Sequence, residues 1–180
     1  LAILVDDVDR FYAYDLAKLA VVPAGGGAPT FLTPGLDRAV QNPSWTADGQ
    51  ALVFSVEDDR AVWIGRVGAA GGTVEALTTG RRVVTEPSLP SPASAGGDSG
   101  IAVLASAPGE PTEVHALENG QLRPLSHQND KLRDELQLAT VADFTSKSKD
   151  GTVVHGLLTR PAGAADGVKL TTVYAAPSCT

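Results

Sequence analysis

The 180-residue sequence contains no methionine, a single cysteine (Cys179) and three histidines. One cysteine excludes an internal disulfide framework and zinc sites built on cysteine pairs. That scarcity fits a reducing compartment such as the cytoplasm, although periplasmic proteins also lack disulfides. Aromatic residues make up 5% of the chain. No apolar run approaches the 18 or so residues that a membrane-spanning helix requires. Positive charge is also short: 14 Lys and Arg stand against 21 Asp and Glu, a formal net charge of −7. An acidic surface repels phosphate, so the sequence predicts neither nucleic-acid nor membrane partners.

Glycine (19) and proline (12) are plentiful, and 43% of residues are hydrophobic. A chain of this kind builds a core from short elements joined by frequent turns. It opens on an apolar run, Ala2-Ile3-Leu4-Val5, with the character of a strand interior, which reads as a fragment of a longer protein.

Similar features recur at intervals of about 45–50 residues. Ala2–Val5, Ala51–Phe54 and Ile101–Leu104 are short apolar runs suited to strands buried on both faces. In a second, in-phase series, a strand, a glycine-containing turn and another strand end on Thr33, Thr78 and Ser126. Gly25–Gly27, Gly71-Gly72 and Asn119-Gly120 supply the three turns. A third feature, Asn42-Pro43-Ser44-Trp45 before Asp48-Gly49, has a weaker echo in Glu86-Pro87-Ser88-Leu89. Four short strands per period is the pattern of a β-propeller blade, which cannot bury both of its faces without neighbours. Trp45 and Trp63 are expected in the blade cores.

The rhythm stops after Ser126. Lys131–Ala139 reads equally as a short helix or an extended linker. Phe144–Lys149 and Thr152–Leu158 flank Asp150-Gly151 and predict a hairpin that Pro161 ends. Leu170–Tyr174 is a further candidate strand.

The segment Ser148-Lys149-Asp150-Gly151-Thr152, followed by His155-Gly156-Leu157-Leu158 and Arg160-Pro161, is similar to the start of the hydrolase domain in prolyl-oligopeptidase-family serine peptidases. Acylaminoacyl-peptidase and dipeptidyl-aminopeptidase-like members are nearest. Pro43-Ser44-Trp45-Thr46-Ala47-Asp48-Gly49 resembles the blade signature of the same enzymes. The resemblance implies an all-β partial propeller of two to three blades over residues 1–130. Residues 131–180 would be a linker and the truncated start of an α/β-hydrolase domain. It implies a parent that cleaves short peptides by a Ser-His-Asp triad, with the propeller gating access. Where that family carries its oxyanion-hole segment, this chain has Ala175–Thr180 instead. The family's nucleophile, Asp and His all lie further along, so no catalytic residue, cofactor or metal ligand is assigned here. The alternative is a non-enzymatic, protein-binding propeller of the periplasmic envelope-complex type.

Local decoys are rejected on chemistry. Gly97-Asp98-Ser99-Gly100 mimics a protease nucleophile motif, yet no histidine precedes Ser99, and no helix follows it to form an elbow. His115, His127 and His155 lack ligand spacing, and His155 is expected to serve the hairpin structurally. Asp6, Asp7 and Asp9, and likewise Glu57-Asp58-Asp59, are expected to be solvated turns, because neither cluster continues into a calcium loop. Gly25–Gly27 lacks the Lys-Ser/Thr of a phosphate loop, and Cys179 has no scaffold to activate it.

Overall fold

The structure is a computed structural model that describes residues 1–6, 16–90 and 100–165, together with 167 and 169. The candidate strand Leu170–Tyr174, Cys179 and the Gly97–Ser99 part of the decoy motif lie outside the described residues.

Two complete four-stranded units follow one another. The first runs β4 (Val40–Trp45), β5 (Ala51–Asp58), β6 (Ala61–Gly68) and β7 (Glu75–Ala76), paired antiparallel in sequence order. The second runs β8 (Val83–Ser88), β9 (Ile101–Ala107), β10 (Glu110–Glu118) and β11 (Gln121–Pro124) in the same way. Ahead of them, β1 (Ala2–Val5), β2 (Lys18–Val21) and β3 (Thr30–Phe31) form a three-stranded meander. One parallel bridge, Val62 opposite Val83, joins the two complete units into a single hydrogen-bonded sheet.

The turns obey the local chemistry. Asn119 and Gly120 take φ values of 51° and 77°, the two left-handed residues that a tight hairpin needs. Thr46 and Asp48 close the β4–β5 turn: the Thr46 hydroxyl donates to Asp48 at 2.6 Å, and Gly49 N–H donates to the Thr46 carbonyl at 2.8 Å. Ser148, Asp150 and Gly151 repeat that arrangement in the later hairpin.

Thr33, Thr78 and Ser126 explain the second repeated feature. Their hydroxyl oxygens accept the backbone N–H groups of Leu19, Ile64 and Val114 respectively, each at 2.9 Å. Each hydroxyl prolongs the ladder between the third and fourth strands where the fourth has ended. These three bonds also fix the alignment of the units. Leu19, Ile64 and Val114 lie opposite Leu4, Ser55 and Leu104. The sequence match of Ala2–Val5 with Ala51–Phe54 is therefore two residues out of register; Ala2–Val5 corresponds to Val53–Val56. A slip of two preserves which face each side chain occupies, so the apolar pattern could not reveal it.

Two cores lie between the three units. Leu19, Leu32, Val40, Leu52, Phe54 and Val56 fill the first. Val53, Ile64, Val84, Val103, Ala105 and Leu117 fill the second. The second unit thus contributes alternate residues of β5 to opposite cores, as stacked blades require. Trp63 packs against the first core as expected. Trp45 does not belong to the blade core: it is 38% exposed. It ends the inner strand β4 on the side facing the first unit, which has no described counterpart of β4 to cover it.

Beyond the blades the ambiguous segment resolves into α1 (Asp130–Glu135), a helix of six residues with none buried. The expected hairpin forms from β12 (Thr140–Lys147) and β13 (Val153–Arg160), a sheet of its own. Phe144 lies over Gly156, where an added Cβ would come within 2.2 Å of the ring. No helix among the described residues is long and apolar enough to cross a membrane.

Candidate functional site

The most developed constellation of polar groups sits where the hairpin meets the second blade. Its base is the two-residue turn between β5 and β6. Asp59 and Arg60 have φ values of 34° and 69°, so both occupy left-handed backbone. Asn-Gly or Asp-Gly would fit that turn without strain. An arginine in left-handed conformation costs roughly 1–2 kcal/mol.

Arg60 is held on several sides. Its guanidinium donates to Asp59 at 2.9 Å and to Asp143 of β12 at 2.7 Å. It also reaches the carbonyl of Gly156 in β13 at 3.3 Å. Only 17% of its side chain is exposed. Arg81 pairs with the second oxygen of Asp143. His155 lies on the same hairpin face as Asp143, and its Nδ1 is 2.6 Å from Asp59 Oδ2. Hydrogen bonds from Arg60, then from His155, lower the Asp59 pKa to about 2. The carboxylate can therefore only accept, so Nδ1 of His155 carries the hydrogen. Beneath these pairs lies a cavity of about 240 Å³ lined by Arg60, Arg82, Val83, Val141 and Leu157.

A second polar centre governs the exit from the third blade. Glu113 of β10 accepts from the Ser126 hydroxyl, the Asn129 backbone N–H (2.8 Å) and the Asn129 side-chain amide (3.0 Å). The Ser126 bond is the largest cause of a Glu113 pKa lowered to about 2. Ser126 thus serves twice, accepting from Val114 and donating to Glu113. A polar cleft of about 540 Å³ lies alongside, lined by His115, His127, Asp130 and Arg133 among others.

The three histidines are accounted for structurally. His115 contacts the Glu113 carbonyl, His127 contacts Asp130, and His155 grips Asp59. Of Glu57-Asp58-Asp59, expected to be a solvated turn, Glu57 and Asp58 instead end strand β5, while Asp59 does lie in the exposed β5–β6 turn and there gains a partner, His155, 96 residues away. Among the described residues, no group of three or more His, Cys, Asp or Glu side chains is placed to hold a metal. The junction cluster has no nucleophile, and Asp143 is matched by two arginines. What it does is position: it ties a two-stranded hairpin to a blade turn.

Sequence reasoning missed this cluster because residues 59, 60, 81, 143 and 155 converge only through tertiary structure. The one local signal is Asp59-Arg60 standing where a glycine would be favoured.

No family model and no curated protein sequence matches the chain. Solved structures do match. An acylaminoacyl peptidase in complex with Z-Gly-Gly-Phe-chloromethyl ketone superposes with a TM-score of 0.69 at 18% identity, over 89% of this chain and 23% of that one. The apo AtxE2 isopeptidase gives 0.66 at 16% identity, over 94% and 25%. A TolB structure from Agrobacterium tumefaciens gives 0.53 at 15% identity, over 90% and 63%. The chain therefore spans about a quarter of the length of the peptidases it matches. At these identities the likeness is one of fold: the chain is mostly β with one short helix among its described residues, and it is built like the β-propeller portion of prolyl-oligopeptidase-family structures.

Proposed function

We propose that the chain is part of a prolyl-oligopeptidase-family serine peptidase that acts on short peptides. Residues 1–130 would be propeller blades that restrict access to the active site, and residues 131–180 the linker and start of the hydrolase domain. One observation carries this reading: the blades are followed by a separate hairpin clamped back onto a blade turn through Arg60–Asp143 and Asp59–His155. A propeller that only binds proteins has no need of such an appendage. The sequence around that hairpin, Asp150-Gly151-Thr152 to Arg160-Pro161, is also where the resemblance to these peptidases is densest. The chemistry would be acyl transfer by a Ser-His-Asp triad supplied outside this chain.

The test is active-site labelling. Extracts of cells expressing the gene are treated with a fluorophosphonate, and labelled proteins are captured and digested. Recovery of peptides from this chain in a labelled polypeptide supports the reading. Detection of the intact gene product without label overturns it. The 180-residue chain alone is expected to release no chromophore from peptide nitroanilides.

The likeness to TolB favours a second reading, a propeller that binds proteins without catalysis. A gene with no Gly-x-Ser-x-Gly codons in any frame downstream of Thr180 would select it.

A further inference from the structure

Asparagine before glycine is the pairing most prone to lose its side-chain amide, because a residue without Cβ leaves its own backbone nitrogen open to approach. Among the described residues an Asn or Asp precedes glycine three times, at Asp48-Gly49, Asn119-Gly120 and Asp150-Gly151, each in a hairpin turn. We propose that Asn119 is a spontaneous modification site, at which the folded blade deamidates to aspartate and isoaspartate, while the two Asp-Gly turns are chemically protected. This chemistry is the same whether the whole protein is a peptidase or a binding propeller.

Two atoms decide each turn: the glycine nitrogen that attacks and the side-chain carbonyl carbon that is attacked. Gly49 N–H donates to the Thr46 carbonyl at 2.8 Å, and Gly151 N–H to the Ser148 carbonyl at 3.0 Å. Both carboxylates are pinned as well. Asp48 accepts from the Thr46 hydroxyl (2.6 Å) and Gln50 N–H (3.0 Å), and Asp150 from the Ser148 hydroxyl and Thr152 N–H (3.0 Å). These bonds favour the ionised form, which is a poor electrophile. Gly120 N–H and the Asn119 amide, by contrast, make no hydrogen bond among the described residues, and both residues are exposed. The other two asparagines are disarmed. Asn42, in the β4 bulge, precedes Pro43, which has no N–H, and donates to Glu86 in the matching bulge of β8 at 3.1 Å. Asn129 donates to Glu113 from both side chain and backbone.

The reaction needs only water. Attack turns Asn119 out of its left-handed backbone (φ 51°), so the rate follows opening of the exposed tip. The Gly120 nitrogen gives up its proton and bonds to Cγ of Asn119; the Cγ–Nδ2 bond breaks, and Nδ2 leaves with that proton as ammonia. Water then opens the five-membered imide at either carbonyl. Opening at Cγ gives aspartate in an unaltered chain. Opening at the backbone carbonyl gives isoaspartate, which threads the chain through Cγ and lengthens the turn by one carbon. Asn119 and Gly120 are the whole loop between Glu118 and Gln121, and Leu117 stands opposite Leu122 just inside it, both against the second core. The added carbon, with a new carboxylate next to Glu118 and its 2.6 Å pair to Arg123, loosens β11, the outermost strand of the third blade. Aspartate itself tolerates left-handed backbone and keeps the spacing.

The experiment incubates the full chain, folded and in urea, in mildly alkaline buffer over days. Fragmentation mass spectrometry locates each amide-to-acid conversion, and isoaspartate is measured by methyl transfer from S-adenosylmethionine with an isoaspartate methyltransferase. In the folded chain Asn119 should convert at least tenfold faster than Asn42 or Asn129, and faster still as pH rises. Isoaspartate at Asp48 and Asp150 should form at least tenfold faster in urea than in the fold. Asn119→Gly keeps a turn-forming pair, so it should melt as the parent does yet lose the methyl-accepting signal of this tip. Hydrogen exchange at the β11 amides should quicken in the isoaspartate fraction and match the parent in Asn119→Asp. Asn119 intact in the folded chain but reactive in urea would overturn the proposal, as would Asn42 or Asn129 converting first. Equal rates at Asp48 and Asp150 in fold and urea would overturn the protection, and unchanged β11 exchange in the isoaspartate fraction would overturn the loosening.

Discussion

Thr78 Oγ1 accepts the backbone N–H of Ile64 at 2.9 Å inside the second core, where both residues are buried. The same bond joins Thr33 to Leu19 and Ser126 to Val114. A hydroxyl at one fixed place per repeat thus completes a ladder that the two-residue strands β3 and β7 are too short to complete.

Thr78→Val keeps the shape and removes the acceptor, leaving the Ile64 N–H buried and unsatisfied. The expected loss is about 1–3 kcal/mol, read as a lower urea midpoint. Thr78→Ser retains the oxygen and should recover most of the difference.

Ser55 presents the opposite case. Its hydroxyl is buried at 1% exposure and has no hydrogen-bond partner among the described residues. The equivalent positions in the other two blades are Leu4 and Leu104, so an apolar residue suits the site. Ser55→Ala removes a desolvated oxygen and should be neutral to stabilising by up to about 1–2 kcal/mol. A urea midpoint clearly below the parent's would contradict this.

Arg60→Gly separates backbone cost from tethering. Glycine occupies left-handed φ freely, so the β5–β6 turn itself relaxes. The hairpin loses its ties to Asp143 and Gly156. The expected outcome is a blade melting temperature equal to or above the parent's, with hydrogen exchange in β12 and β13 accelerated at least tenfold. Asp143→Asn should accelerate the same amides without helping the turn.

Acid should weaken the fold in a defined window. Asp59, Glu113 and Asp150 all have folded pKa values of about 2, set mainly by hydrogen bonds from Arg60, Ser126 and Ser148 respectively. Their ordinary values are 3.8, 4.5 and 3.8. A folded pKa below the unfolded one means that the unfolded chain takes up protons first as pH falls. The stabilisation is thus complete above the ordinary values and is lost on descending from them toward 2. Urea midpoints measured between pH 7 and pH 2 should hold steady and then fall below about 4.5. Glu113→Gln and Asp59→Asn should each flatten that fall.

The blades were legible because their signals are local. Apolar runs, Asn119-Gly120 and Asp150-Gly151 each specify strand or turn within a few residues, and repetition multiplies them. The register between blades was legible only to within two residues: the Ala2–Val5 and Ala51–Phe54 runs are two apart, a slip that alternation hides, and Ile101–Leu104 is one residue from each, a slip that only the paired strands reveal. The bulges at Asn42 and Glu86 were visible only as a faint Pro-Ser echo. The junction was not legible at all: it needs Asp59, Arg60, Arg81, Asp143 and His155 together, and no spacing rule connects them. Trp45 misled because a large aromatic beside a turn reads as core, whereas its covering depends on what stands beside the first unit.

Phe144 seated on Gly156 gives one dipeptide two masters. His155 reaches toward the propeller, while the next residue, by having no side chain, lets an aromatic ring lie flat on the opposite face of the hairpin. Even alanine at 156 would lift that ring and press on the strand whose neighbouring imidazole holds the blade. The two surfaces of the hairpin are thus mechanically linked through adjacent residues, and a disturbance of the ring on one side would be felt as a loosened grip on the other.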